Sequence, residues 1–259
     1  ISASGSAMLC SGGSVTLTSS AGTTYLWSTG ETTQSITVST AGNYSVQVTN
    51  AAGCSSIASA ETTVIVGTLP SQPTITAGGP TTFCTGGSVT LTSSAGTSYL
   101  WSNGATTASI SPTTAGTYSV QVTNASGCQS VASTGTAVTV NTLPAQPIIS
   151  AGGATTFCTG GSVTLTSSAG TSYLWSNGAT TASISPTTAG TYSVQVTNAA
   201  GCQSVASAGT AVTVNALPSQ PTISAGGPIT FCAGGSVTLT SSAGTSYLWS
   251  NGATTASIS

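Results

Sequence analysis

Residues 88–92 read Ser-Val-Thr-Leu-Thr, with an apolar side chain at every second position. That is the signature of a strand with one face buried. Tyr118-Ser119-Val120-Gln121-Val122 alternates in the same way, and Ala137-Val138-Thr139-Val140 closes the unit. Between them, Tyr99-Leu100-Trp101 runs into Asn103-Gly104, a tight-turn dipeptide. Ser109-Ile110-Ser111 is short and stops at Pro112, and Thr74-Ile75-Thr76 opens just after Pro73. No segment carries a helical period. About seven short strands with turns between them predict a β-sandwich.

The whole pattern recurs. Cys10, Cys84, Cys158 and Cys232 are 74 residues apart, and so are Trp27, Trp101, Trp175 and Trp249. Tyr44, Tyr118 and Tyr192 keep the same period, as do Cys54, Cys128 and Cys202. The stretches beginning at Pro73 and Pro147 differ at only seven of 74 positions. A period this long is that of a small domain rather than a solenoid turn. Leu143-Pro144-Ala145-Gln146-Pro147 reads as a short, stiff linker, because each proline restricts itself and the residue before it. Both ends look internal to a repeat, so targeting signals and anchors are expected outside this segment.

Composition narrows the function. Of 259 residues none is Lys, Arg or His, and the acidic side chains are two, Glu31 and Glu61. Without cations there is no electrostatic basis for binding nucleic acid or anionic membrane surfaces. No apolar run approaches the ~20 residues of a membrane span, so no membrane insertion is expected. Serine and threonine nucleophiles abound, but no His, Lys or Asp exists to serve as base. A Glu31–Glu61 pair would be the minimum for glycoside hydrolysis, yet the equivalent positions are Ala105, Ala179, Gly135 and Gly209. No enzyme activity, cofactor or metal site is expected: calcium wants several carboxylates, and zinc held by thiolates alone wants four together. Lys–Asn isopeptide cross-links are excluded with lysine.

Gly86-Gly87-Ser88-Val89-Thr90-Leu91-Thr92, Trp101 and Ala115-Gly116-Thr117-Tyr118 resemble strands B, C and F of an immunoglobulin-like domain. The resemblance puts Tyr118 at the tyrosine corner, Ser93 and Val120 where antibody domains carry their central disulfide, and Trp27, Trp101, Trp175, Trp249, Tyr44, Tyr118 and Tyr192 in structural core positions. With Phe83-Cys84-Thr85-Gly86-Gly87, Tyr99-Leu100-Trp101-Ser102-Asn103-Gly104 and Gly127-Cys128, the variant is similar to the immunoglobulin-like and PKD-like repeats of giant surface proteins of Bacteroidota. These include the mobile gliding adhesins (the SprB-like family) exported by the type IX secretion system. The implied fold is all-β: tandem immunoglobulin-like β-sandwich repeats of about 74 residues. They run 1–68 (trimmed at its start), 73–142 and 147–216, with part of a fourth at 221–259.

Regular cysteines in a chain of this type imply an oxidising, extracellular setting. Two pairings are open. One closes each repeat on itself: Cys10–Cys54, Cys84–Cys128, Cys158–Cys202. In the implied register, however, Cys84 lies at the C-terminal pole of its sandwich and Cys128 at the N-terminal pole. A strand of six residues spans roughly 20 Å, whereas bridged Cα atoms are at most about 7 Å apart. The other pairing joins neighbours, Cys10–Cys128 and Cys84–Cys202, and is favoured; Cys54, Cys158 and Cys232 would then look beyond or to the edges of the segment.

The resemblance implies a structural shaft of a cell-surface adhesin fibre, serving gliding or attachment. Its partners would be neighbouring repeats of the same chain, an external surface or polysaccharide, and secretion and motility machinery outside the segment. Two alternatives stand: repeats that each bind polysaccharide, with Tyr99 and Trp101 as a stacking platform, or an inert spacer within a large secreted enzyme. An ice-binding surface would need closely repeated flat threonine arrays, which the 74-residue period does not supply.

Overall fold

The computed structural model describes every residue, Ile1–Ser259, as strands, turns and irregular segments without helix. In the first repeat eight strands form: β1 (Ser2–Ala3), β2 (Met8–Cys10), β3 (Val15–Thr18), β4 (Thr24–Trp27), β5 (Ser35–Val38), β6 (Gly42–Tyr44), β7 (Val46–Thr49) and β8 (Thr62–Gly67). One layer is the antiparallel sheet β1-β3-β5. In the other, β8 lies between β2 and β6, and β4 pairs with β7. Only Ser45 separates β6 from β7, so these two sheets continue into one layer along a shared strand. The N-terminal segment serves both layers. β1 is antiparallel to β3, while β2 runs parallel to β8, which sets Cys10 opposite Gly67.

The second and third repeats build the same eight strands, with the counterparts of β2 at Thr82–Cys84 and Thr156–Cys158 and those of β8 at Thr136–Asn141 and Thr210–Asn215. The last 39 positions, 221–259, form a single three-stranded sheet, Ile223–Ala225, Leu239–Ser241 and Ser257–Ile258. The chain groups into two compact units, Ile1–Leu143 and Pro144–Ser259. Each unit therefore contains the strands of two successive repeats.

Alternation decides which side chains go inside. Val15 and Leu17 are buried, while Thr16 and Thr18 face outward and meet hydroxyls across the strand pair: Thr16 Oγ1 is 3.3 Å from Thr37 Oγ1, and Thr18 Oγ1 is 2.9 Å from Ser35 Oγ. The second repeat repeats this with Thr90–Ser111 at 3.3 Å and Ser109–Thr92 at 3.0 Å. A surface nearly without charges thus satisfies itself with paired hydroxyls. In each of the three repeats the β3–β5 face and its counterparts thus carry a small two-row hydroxyl patch.

Trp27, Trp101 and Trp175 are each 2% exposed, and their indole N–H groups donate to the carbonyls of Thr33, Thr107 and Thr181 at 2.8 Å. Tyr44, Tyr118 and Tyr192 are buried and donate their hydroxyls to the carbonyls of Thr40, Thr114 and Thr188, four residues upstream, at 2.9–3.0 Å. This is tyrosine-corner geometry. Trp249 departs from the expected core role. It keeps its bond to Thr255 at 2.8 Å but is only half-buried, because residues 221–259 contain no counterpart of the layer formed by Gly190–Tyr192, Val194–Thr197 and Thr210–Asn215.

At the position where antibody domains carry a cysteine, Ser93 is 8% exposed and its Oγ has no hydrogen-bond partner; Ser19 and Ser167 repeat the situation. An unsatisfied buried hydroxyl costs about 1–3 kcal/mol. Ser93→Ala is therefore expected to leave stability unchanged or raise it by about 1 kcal/mol. Trp101→Ala should lower it by about 3–5 kcal/mol. Denaturant melts of the two variants beside the parent check both; a Ser93→Ala variant that loses 2 kcal/mol or more would refute the orphan-hydroxyl account.

Candidate functional site at the repeat junction

Cysteine chemistry joins elements distant in sequence at the boundary between the first and second repeats, inside the unit Ile1–Leu143. From the first repeat comes the end of β2. Cys10 is its last residue, and Gly13 N–H turns back to the Cys10 carbonyl at 2.8 Å over Gly12, whose φ of +88° suits glycine. Ser11 N–H continues the parallel pairing to the Gly67 carbonyl at 2.9 Å. Cys10 therefore sits at the pole where the chain leaves the first sandwich for the linker.

From the second repeat comes the turn Asn124–Cys128. Asn124 Oδ1 accepts from Ser126 N–H (3.1 Å) and Cys128 N–H (3.0 Å), Gly127 N–H donates to the Asn124 carbonyl (3.0 Å), and Gly127 takes a φ of +75°. These contacts hold Cys128 in place at 0% exposure. Cys10 and Cys128 are disulfide-bonded, with their Cα atoms 5.5 Å apart.

Two side-chain amides back the bond. Asn124 uses its other end, Nδ2, to donate to the Thr68 carbonyl in the linker at 2.8 Å. Gln72 Nε2, at the far end of the linker, donates to the Ala132 carbonyl at 2.7 Å. Gln146 makes the corresponding bond to Ala206 in the second unit, also at 2.7 Å. The segment after the turn is fixed by buried serines: Ser130 and Ser133 Oγ accept from Val122 and Val120 N–H, both at 3.1 Å, and their own N–H groups donate to the carbonyls of the same valines at 2.9 Å. No strand pattern announces this edge in the sequence; Gln129-Ser130-Val131-Ala132-Ser133 reads as loop.

Of the other cysteines, Cys84 and Cys202 are also in disulfides, whereas Cys54, Cys158 and Cys232 carry exposed free thiols. The structure therefore does not contain the self-closing pair Cys10–Cys54. The aromatic groups of a sugar platform are occupied. Tyr25 Oη both accepts from Gly22 N–H (3.0 Å) and donates to its carbonyl (2.9 Å), Tyr99 Oη accepts from Gly96 N–H (3.2 Å), and Trp101 is enclosed. Glu31 and Glu61 are exposed. Thr29 hydroxyl donates to the Glu31 carboxylate, which with the residue's own backbone N–H holds its pKa below the ordinary 4.5. No cluster of three or more His, Cys, Asp or Glu side chains could hold a metal ion.

No protein-family model matches the chain, and no curated protein does. Two of the solved structures that resemble it are bacterial adhesins. One is described as a Ca2+-stabilized adhesin that helps an Antarctic bacterium reach out and bind ice: TM-score 0.37, 20% identity, covering 81% of this chain and 70% of that one. The other concerns host cell surface retention of a 1.5-MDa bacterial ice-binding adhesin: TM-score 0.33, 20% identity, covering 81% of this chain and 94% of that one. Neither likeness says what this chain binds.

Asn124→Ala removes the acceptor of two turn N–H groups and the donor to Thr68. At about 1 kcal/mol per lost bond, it should cost roughly 2–3 kcal/mol in thermal melts, and Asn124→Asp, which keeps the acceptor, should cost less. The lowered Glu31 pKa contributes stability above its unfolded-state value, lost as pH falls through the folded value. With only two carboxyl groups, both exposed, the melting temperature should stay flat from about pH 5 to 8 and fall only slightly in more acid solution. A calorimetric pH series checks this; a midpoint that drops steeply in that window would contradict it.

Proposed function

We propose that the chain is a section of the shaft of an extracellular adhesin, in which each repeat is covalently stapled to the next so that the array resists pulling. The observation that carries this reading is the Cys10–Cys128 disulfide, which spans 118 residues and joins the exit pole of one sandwich to the entry pole of the next. Cys84 and Cys202 occupy the equivalent positions one period on, and their pairing with each other is part of the proposal. The mechanical units are the repeats 1–68, 73–142 and 147–216. Regular disulfides fit an oxidising location outside the cell. The finer assignment, to mobile gliding adhesins of Bacteroidota exported by type IX secretion, rests on the sequence resemblance alone.

The staple's effect follows from its position. A sandwich of about 70 residues is marginal by itself. Closing a loop of about 100 residues restricts the unfolded chain by up to about 4–5 kcal/mol in the chain-entropy account, with 2–4 kcal/mol typical in practice. Because the loop includes parts of two repeats, that stabilisation is shared between them. Under tension the bond also shunts force from β2 directly to the second repeat, so the linker hydrogen bonds of Asn124 and Gln72 are not loaded one at a time.

Single-molecule stretching tests this in a chain carrying Cys84→Ser and Cys202→Ser, which leaves only the first staple. Adding a reductant should lengthen the fully extended chain by about 400 Å, the contour of the closed loop at about 3.4 Å per residue. A gain of only about 150 Å would indicate the self-closing Cys10–Cys54 pair. No gain at all would sink the stapled shaft.

A further inference from the structure

The staple is unequal at its two ends. Cys128 is 0% exposed, whereas Cys10 is half-buried. The first repeat closes over Cys128: a methyl group added at Gly67 would lie 3.1 Å from Cys128 Sγ and 3.0 Å from Ser126 Cβ. Cys10 instead opens the turn through Ser11 and Gly12, both exposed, and a methyl group added at Gly12 would meet nothing within 4 Å. Cys84 and Cys202 repeat the inequality one period on, the first half-buried and the second 0% exposed.

The contacts that hold the two residues together contain no sulfur. Asn124 Oδ1 accepts from Ser126 and Cys128 N–H, and its Nδ2 ties the same turn to the Thr68 carbonyl. Gln72 donates to the Ala132 carbonyl across the junction. On the other side, Cys10 is fixed by its parallel pairing with Gly67. All of these bonds remain available when the sulfurs are apart.

We propose that Cys10 is the thiol-exchange site of the staple, taking a small thiol of the glutathione class, and that Cys128 is the resolving thiol that expels it and restores the bond. The inference rests on the stapled-shaft reading and adds a route of repair to it. Exchange starts where a thiolate can reach a disulfide sulfur. The reagent's sulfur bonds to Cys10 Sγ, the bond to Cys128 breaks, and its electron pair leaves on Cys128 Sγ, which takes up a proton. In the return step Cys128 gives that proton to solvent, attacks Cys10 Sγ and releases the reagent as a thiolate. The cycle involves no net oxidation or reduction. Complete reduction needs a second reagent thiol to attack the reagent's own sulfur in the mixed disulfide. Resealing outruns that step while the effective concentration of Cys128 exceeds that of the thiol.

Two forms of the full chain, each carrying Cys54→Ser, Cys158→Ser and Cys232→Ser, make the test. One adds Cys128→Ser and keeps Cys10; the other adds Cys10→Ser and keeps Cys128. Each is treated with oxidised glutathione, quenched in acid and mapped with pepsin, since trypsin has nothing to cut. The protein thiolate takes one glutathione from the reagent and releases the other as a thiol. The adduct on Cys10 is expected to form about tenfold or more faster than that on Cys128, because an enclosed sulfur reacts only from the opened junction. In denaturant the two rates should converge. In a reduced chain that keeps both cysteines, the adduct should appear on Cys10 and then give way to the Cys10–Cys128 bond. Equal native rates, a faster Cys128, or an adduct that Cys128 does not displace overturns the inference. The stapled shaft still stands in those cases if the parent chain's peptic map contains the Cys10–Cys128 peptide; absence of that peptide overturns both.

Discussion

Each complete sandwich closes over very little. In the second repeat the core cluster is one tryptophan, one tyrosine and five aliphatic residues, Val89, Leu91, Ile110, Val120 and Val138. Surface-to-volume scaling makes a core of this size marginal, and the chain has no Lys, Arg or His side chain with which to form ion pairs. Everything else in the architecture answers that constraint. Polar groups are satisfied locally and in pairs, as in the Thr–Ser contacts between β3 and β5 and the serines along β7. Stability that the core cannot provide is drawn from covalent closure between repeats.

The sequence was most legible where chemistry and period coincide. Val89 and Leu91 alternate with Thr90 and Thr92, and burial follows that alternation. A tryptophan and a tyrosine returning every 74 residues announce one core per repeat, and the all-β fold follows from the strand lengths and turns. The rest was hidden for physical reasons. Parallel pairing of Thr82–Cys84 with Thr139–Asn141 joins residues far apart in the chain and leaves no local pattern. Ser130 and Ser133 look like surface residues, yet they are buried because each hydroxyl takes the place of a neighbouring strand's acceptor. Asn124 looks like one more turn asparagine; only its second amide end, on Thr68, shows that it also binds the linker. The 74-residue period was readable, whereas the grouping into the two compact units Ile1–Leu143 and Pro144–Ser259 was not.

The position of the staple has a mechanical meaning that neither its chemistry nor its typical strength conveys. A bridge within a repeat would enclose strands β3 to β7 and shield the core, leaving the linker as the path of force. The bridge from Cys10 to Cys128 encloses the same strands together with β8, the linker and the second repeat up to its turn, so the linker too is taken out of the path. The linker itself is held by single side-chain hydrogen bonds, those of Asn124 to Thr68 and of Gln72 to Ala132. A covalent bond there joins two marginal domains so that neither the linker nor the enclosed strands extend while it holds. Near-identity of the repeats fits this logic. When stability is a sum over units and the interfaces between nearest neighbours, a pole that fits one neighbour fits every neighbour, and length is gained by repetition without designing a new contact.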